Sequence, residues 1–184
     1  MTKSKKLNYN ITKHKFISGI YFNLILRKII SLILKNKFKT ILDFGCGFGY
    51  LKKKLLVYKK KNIKVINYDI IKELTEVKNF KNQKFECLVA NQVFYLFKKK
   101  QLHELLNYLS KKNPTLFLIV TISRQSLLNN IGKFILNEKN AHMGTKLSPY
   151  EEIRILRKYT FILKKINILF LSDIYFLKFI NNIK

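Results

Sequence analysis

The stretch "ILDFGCGFGYL", Ile41 to Leu51, decides how the rest of the chain is read. Three of the six glycines in the 184 residues, Gly45, Gly47 and Gly49, fall inside it. An apolar run precedes them and the helical pattern "YLKKKLLVYKKK" follows. This predicts a strand, a glycine turn and a helix. A turn of that kind lets main chain approach a ligand closely. Phosphate loops fit poorly. G-x-x-x-x-G-K-[ST] is absent. The dinucleotide pattern G-x-G-x-x-G fails because its third glycine comes one residue early, at Gly49, with Tyr50 where glycine is required. Asp43 would also oppose an anion electrostatically.

Outward from this stretch the chain alternates. "TILDF" (Thr40 to Phe44), "IKVINYD" (Ile63 to Asp69), "FECLVANQV" (Phe85 to Val93) and "TLFLIVTIS" (Thr115 to Ser123) read as buried strands. Between them lie helical patterns: the lysine-rich run after Gly49, a short "IKELTEVKNF", and "KKKQLHELLNYLSKK" with Leu102, Leu105, Leu106 and Leu109 on one side. Phe16 to Lys37 forms an earlier helix with polar Asn23, Arg27, Ser31 and Lys35 every four positions and a wide apolar stripe. The stripe suits either core packing or a membrane surface. Ser148, Pro149 and Glu151 announce a capped helix. "FILKKINILFL" and "IYFLKFI" then predict an antiparallel hairpin turning at Ser172-Asp173. Alternating strands and helices indicate an α/β, Rossmann-like doubly wound, mostly parallel sheet with a C-terminal antiparallel hairpin. Residues 1–15 read as a loose basic arm and 16–184 as one domain.

"LDFGCGFG" resembles motif I of the class I S-adenosylmethionine-dependent methyltransferases, hydrophobic-D-x-G-x-G-x-G. The resemblance covers about residues 20 to 180. It implies that fold, S-adenosyl-L-methionine as cofactor, and a site whose methionine end meets Asp43, Gly45, Cys46, Gly47 and Gly49. A carboxylate is welcome there because the cofactor is cationic at sulfur and amino group. Asp69, twenty residues beyond Gly49, matches the acidic residue placed on the ribose, where a carboxylate accepts two hydrogen bonds from a diol. Asn91 matches the carboxyl end of the family's f-D-l-V strand, and Ile70 is the apolar candidate for the adenine ring. One departure concerns the strand that usually lies between these two. With sixteen residues between Asp69 and Glu86, it is expected to be absent or reduced to a few residues around Phe80 to Lys84. The Glu-His pair of the small-molecule branch is replaced by Tyr95-Leu96.

Composition adds bounds. Formal net charge is +27, from 37 Lys and Arg against 10 acids, with Arg only at four positions. An anionic partner, RNA or an acidic membrane surface, would account for it. So would the composition written by an AT-rich genome, since specific phosphate or base readout favours Arg forks. Cys46 and Cys87 make no disulfide framework. No secretory leader is visible, and a cytoplasmic protein, at most peripheral to a membrane, is expected.

For methyl transfer the main contributions are proximity and alignment, with a base needed only when the acceptor must lose a proton. Among three histidines, His142, in the polar loop after the fourth strand, is the candidate base or acceptor ligand. Ser123 and Arg124 end that strand, and Arg124 would suit an anionic acceptor. Methyltransferases of amino nitrogens often carry [DN]-P-P-[YF], which here reads Asn91-Gln92-Val93-Phe94. RNA cytosine chemistry needs a cysteine nucleophile, and neither cysteine sits where one is needed. A small-molecule or lipid-like acceptor is therefore expected. RNA methylation, or cofactor binding without turnover, are the competing readings.

Overall fold

The structure is a computed structural model that describes residues 16–58, 60, 62–124 and 145–180. Six strands form one sheet: β1 (Thr40–Phe44), β2 (Lys64–Tyr68), β3 (Cys87–Asn91), β4 (Phe117–Ser123), β5 (Thr160–Ile168) and β6 (Ser172–Phe179). Their order is β2-β1-β3-β4-β6-β5. β1 runs parallel to both β2 and β3, and β3 to β4. β6 is antiparallel to β4 and to β5. The apolar runs legible in the sequence are these strands, because a parallel strand covered on both faces is apolar throughout.

Helices α1 (Phe16–Lys35) and α2 (Tyr50–Val57) cover one face, and α3 (Lys99–Lys112) and α4 (Pro149–Tyr159) the other. The stripe of α1 is a packing face. Ile25, Ile29, Ile30, Leu32 and Ile33 are buried against Ile41, Val89, Ile119 and Ile174 of the sheet. On α2, Leu51 and Leu55 are buried, whereas Leu56 and, just past the helix, Tyr58 are exposed. α4 begins as read: Ser148 Oγ accepts from the Glu151 amide, and Glu151 reaches back to the Ser148 amide. Among the described residues no helix is long and apolar enough to cross a membrane.

Three expectations meet the structure differently or find their reason in it. No strand lies between β2 and β3. Residues 69–86 carry turns and one helical turn, Phe80–Asn82, and β2 is the sheet edge. The short helix expected over "IKELTEVKNF" is a run of turns instead. Asp69 accepts from the Ile71 amide, Thr75 Oγ1 donates to the Val77 carbonyl, and Glu76 binds back to Asn67. Local side chains thus satisfy the backbone groups a helix would have paired. The hairpin turns at Leu169 and Phe170, with φ of 50° and 58°, rather than at Ser172-Asp173. Asn167 Oδ1 accepts the Phe170 amide, and Ser172 and Asp173 open β6 as buried residues.

Candidate functional site

Chain direction across the sheet reverses at β1: β2 follows on one side and β3 on the other. In such sheets the crevice forms outside the carboxyl ends of the strands at that point. The glycine turn after β1 and Asn91 at the end of β3 border it.

The turn is built by its glycines and by Asp69. Gly45, Gly47 and Gly49 have φ of 72°, 50° and 66°, a region side chains with a Cβ rarely adopt. Gly45 and Cys46 donate their amides to the Tyr68 carbonyl at 2.8 and 3.1 Å, tying the turn to the end of β2. Gly47 donates to Asp69 Oδ2 at 3.0 Å, while Asp69 Oδ1 holds the Ile71 amide. The three glycines face different surroundings. A Cβ on Gly45 would lie 2.5 Å from a Val93 methyl, and one on Gly49 2.8 Å from the Asn67 side-chain nitrogen. At Gly47 it would meet none of the described residues within 4 Å. Gly45 and Gly49 therefore make room for protein, whereas Gly47 opens onto free space.

Strand alternation puts one set of polar side chains on the α1 face at this end of the sheet. Asp43 pairs in register with Asn67, and Asn91 with Thr121. All four interrupt the apolar rows that α1 covers. Asp43 is buried, and no described residue donates a hydrogen bond to it. Burial, then the nearby Asp69 and Glu76, push its carboxyl up to about 7. Asn67 Oδ1, Asn91 Oδ1 and Thr121 Oγ1 are buried without a partner among the described residues. A buried polar group costs free energy until it finds a partner. This end of the sheet is thus short of donors and of positive charge, the opposite of a phosphate cradle.

One acid here, Glu76, was not singled out from the sequence. Glu76 holds the Asn67 amide and side chain and pairs with Lys52 at 2.5 Å. Its role depends on a fold-back over nine residues of irregular chain, for which no periodic signal exists. Cys46 turns its thiol toward the Gly47 and Leu74 carbonyls, and burial followed by Asp43 pushes that thiol up to about 12. A thiol held protonated in this way is a weak nucleophile. Ile70 is 85% exposed beside Asp69 and free to cover a flat apolar ligand. Phe48 and Tyr50, at the mouth of the turn, are also exposed and meet edge to face.

Arg124 is committed within the fold. Its guanidinium makes a two-pronged pair with Asp173 at 2.8 and 2.7 Å. It is not a free cation for an anionic acceptor. His103 packs between α3 and α4, on the other face of the sheet, against the Tyr159 hydroxyl at 3.0 Å. His142 lies outside the described residues.

No protein-family model matches the chain, and no curated protein matches it. Solved structures do. The magnesium protoporphyrin IX methyltransferase of Synechocystis PCC 6803, with bound SAH, superposes with a TM-score of 0.57 at 11% identity, over 90% of this chain and 88% of that one. Human N-acetylserotonin methyltransferase, in complex with SAM, gives 0.56 at 17% identity over 77% of this chain. The small RNA methyltransferase HEN1 gives 0.63 at 17% identity over 85%. This chain spans 47% of the N-acetylserotonin enzyme and 25% of HEN1. The six-stranded sheet, its strand order and these superpositions agree: the chain has the fold of the class I S-adenosylmethionine-dependent methyltransferases, without the strand that would lie beyond β2.

Proposed function

We propose that this protein is an S-adenosylmethionine-dependent methyltransferase of a small-molecule or lipid-like acceptor. One observation carries the reading. At the switch point, the turn that leaves Gly47 open follows the strand carrying Asp43, which is buried and receives no hydrogen bond from the described residues, and the neighbouring strand ends at Asn91, whose Oδ1 is buried with no partner among them. A ligand with an amino group and a positive sulfur satisfies both deficits. Asp43 and Asn91 would hold its ammonium, Gly47 would leave it room, Asp69 would take the ribose and Ile70 the adenine. Each Asp69 oxygen already holds one amide but retains a second lone pair for a hydroxyl. The first turn of a helix leaves amides without carbonyl partners, and the start of α2 suits a carboxylate for that reason.

When bound, S-adenosylmethionine supplies an electrophilic methyl group. The chain supplies alignment and a water-poor wall at the strand ends. His142 is assigned as base or acceptor ligand on its sequence position alone.

Two of the three structural neighbours are named for small molecules, which supports that acceptor class. HEN1 is named for small RNA, and together with the charge of +27 it supports the competing reading. The test has two stages. S-adenosylhomocysteine at one hundred times its Kd should stabilise the protein by about 2.7 kcal/mol and raise Tm by several degrees. Methyl-labelled S-adenosylmethionine with cell extract should then label the small-molecule or lipid-extractable fraction. Label confined to RNA sinks the acceptor assignment. An unchanged Tm sinks the cofactor, and a raised Tm with no label anywhere points to binding without turnover.

A further inference from the structure

A second polar group sits on the same face, one residue past Asn91. Gln92 has a φ of 55°, uncommon for a residue with a side chain. Its amide donates to the Thr121 carbonyl at 3.1 Å. In a straight strand Gln92 would point to the face opposite Asn91. The left-handed turn instead brings it to the α1 side, where its side-chain nitrogen reaches Tyr21 Oη at 3.1 Å and Ser172 Oγ at 3.3 Å. Tyr21 and Ser172 also hydrogen-bond each other. The three residues come from α1, the end of β3 and the start of β6. Ser172 is buried, while Tyr21 and Gln92 are half-buried and reachable. Val93, the next residue, is the one packed against Gly45 of the glycine turn. The network therefore borders the crevice, on the side away from Asp69.

We propose that Tyr21, Gln92 and Ser172 form the acceptor-facing wall of the site and select an uncharged acceptor bearing a hydroxyl or amino group. This rests on the methyltransferase reading above. The reachable part of the wall offers the Tyr21 hydroxyl and the Gln92 amide, each able to donate and accept, with buried Ser172 holding both in place. Thr121, whose carbonyl accepts the Gln92 amide, adds a buried hydroxyl with no partner among the described residues. Burial raises the Tyr21 phenol, which keeps it neutral. Arg124, three residues past Thr121, is already paired with Asp173, to which Lys165 also pairs at 3.2 Å. A carboxylate or phosphate at this wall would lose water without gaining a counter-charge, which is unfavourable. A neutral hydroxyl or amine exchanges hydrogen bonds with the network at little cost. The positive φ at Gln92 fits this role, since strain of that kind persists where the surrounding structure holds it for a purpose.

Phenol and benzoate test the idea, because they share a ring and differ in the charge of the head group. The full chain, 15N-labelled and saturated with S-adenosylhomocysteine, is titrated with each, reading the Gln92 side-chain NH2 signals. Phenol should move those signals saturably, and benzoate should bind at least tenfold more weakly. Tyr21→Phe should weaken the phenol response about tenfold while S-adenosylhomocysteine affinity stays within twofold. Gln92→Gly relieves the strained backbone, so it should fold at least as stably as the parent yet, read at the Val93 backbone amide instead, show no discrimination between the two probes. Benzoate binding as well as phenol, or a Tyr21→Phe effect equal on both ligands, overturns the proposal. If the parent chain fails to bind S-adenosylhomocysteine, the methyltransferase reading falls, and the same titration without it still decides the wall.

Discussion

Asp43 carries the most informative single position, because its environment is unfavourable until something cationic arrives. Its ordinary pKa of 3.8 rises to about 7, chiefly through burial. Between those values the folded protein retains a proton that the unfolded chain has released. The stability linked to this group is therefore present at low pH, declines as pH rises through that window, and is lost above about 7. Asp43→Asn should accordingly stabilise the ligand-free protein at pH 8 by about 1–2 kcal/mol, with the gain shrinking toward pH 4. The same change should weaken S-adenosylhomocysteine at least tenfold. Thermal melts across pH and calorimetric titration check both halves. A variant both less stable and equally able to bind would show that Asp43 is merely structural. The aspartate was legible because it precedes the glycine run. Its lack of a partner was not, since that depends on what α1 and Asn67 bring around it.

At the scale of elements, the glycine turn divides into parts that make different predictions. Gly47→Ala adds a methyl into open space at a φ of 50°, so the stability cost is the backbone strain alone, about 1 kcal/mol. Its effect on cofactor affinity should be large, tenfold or more, because the methyl enters the ligand's volume. Gly45→Ala adds the same strain and a clash with Val93 at 2.5 Å, costing about 2–4 kcal/mol. Urea unfolding and S-adenosylhomocysteine titration of both variants separate the two roles. Equal affinity in Gly47→Ala and the parent would remove the ligand from this turn. Spacing announced all three glycines but did not distinguish them. The β5–β6 turn was misplaced for a related reason: its left-handed positions are filled by Leu169 and Phe170, apolar residues that carry no turn signal. The segment after Asp69 had helix-like periodicity, yet Asp69, Thr75 and Glu76 drew its backbone into turns.

Across the whole molecule, four of the ten acids, Asp43, Asp69, Glu73 and Glu76, fall in β1 and in the segment after β2, while lysines far outnumber acids in the rest of the chain. A net charge of +27 on 184 residues is self-repulsive. Raising sodium chloride from about 0.05 to 0.5 M shortens the Debye length from about 14 to 4 Å and should raise Tm by several degrees. A Tm that falls or stays level would mean that ion pairs, rather than repulsion, dominate the charge balance. The sequence by itself determined the order of the strands and of the four helices that cover the sheet, the loss of the strand beyond β2 and the glycine turn with its flanking acids. These depend on local periodicity, spacing and residues near in the chain. Tertiary structure alone decided that the α1 stripe is core, that Arg124 is taken up by Asp173, and that Tyr21, Gln92 and Ser172 meet. Partners separated by 49 to 151 residues leave no periodic trace. Only closing the sheet and laying α1 across it brings them within hydrogen-bonding distance.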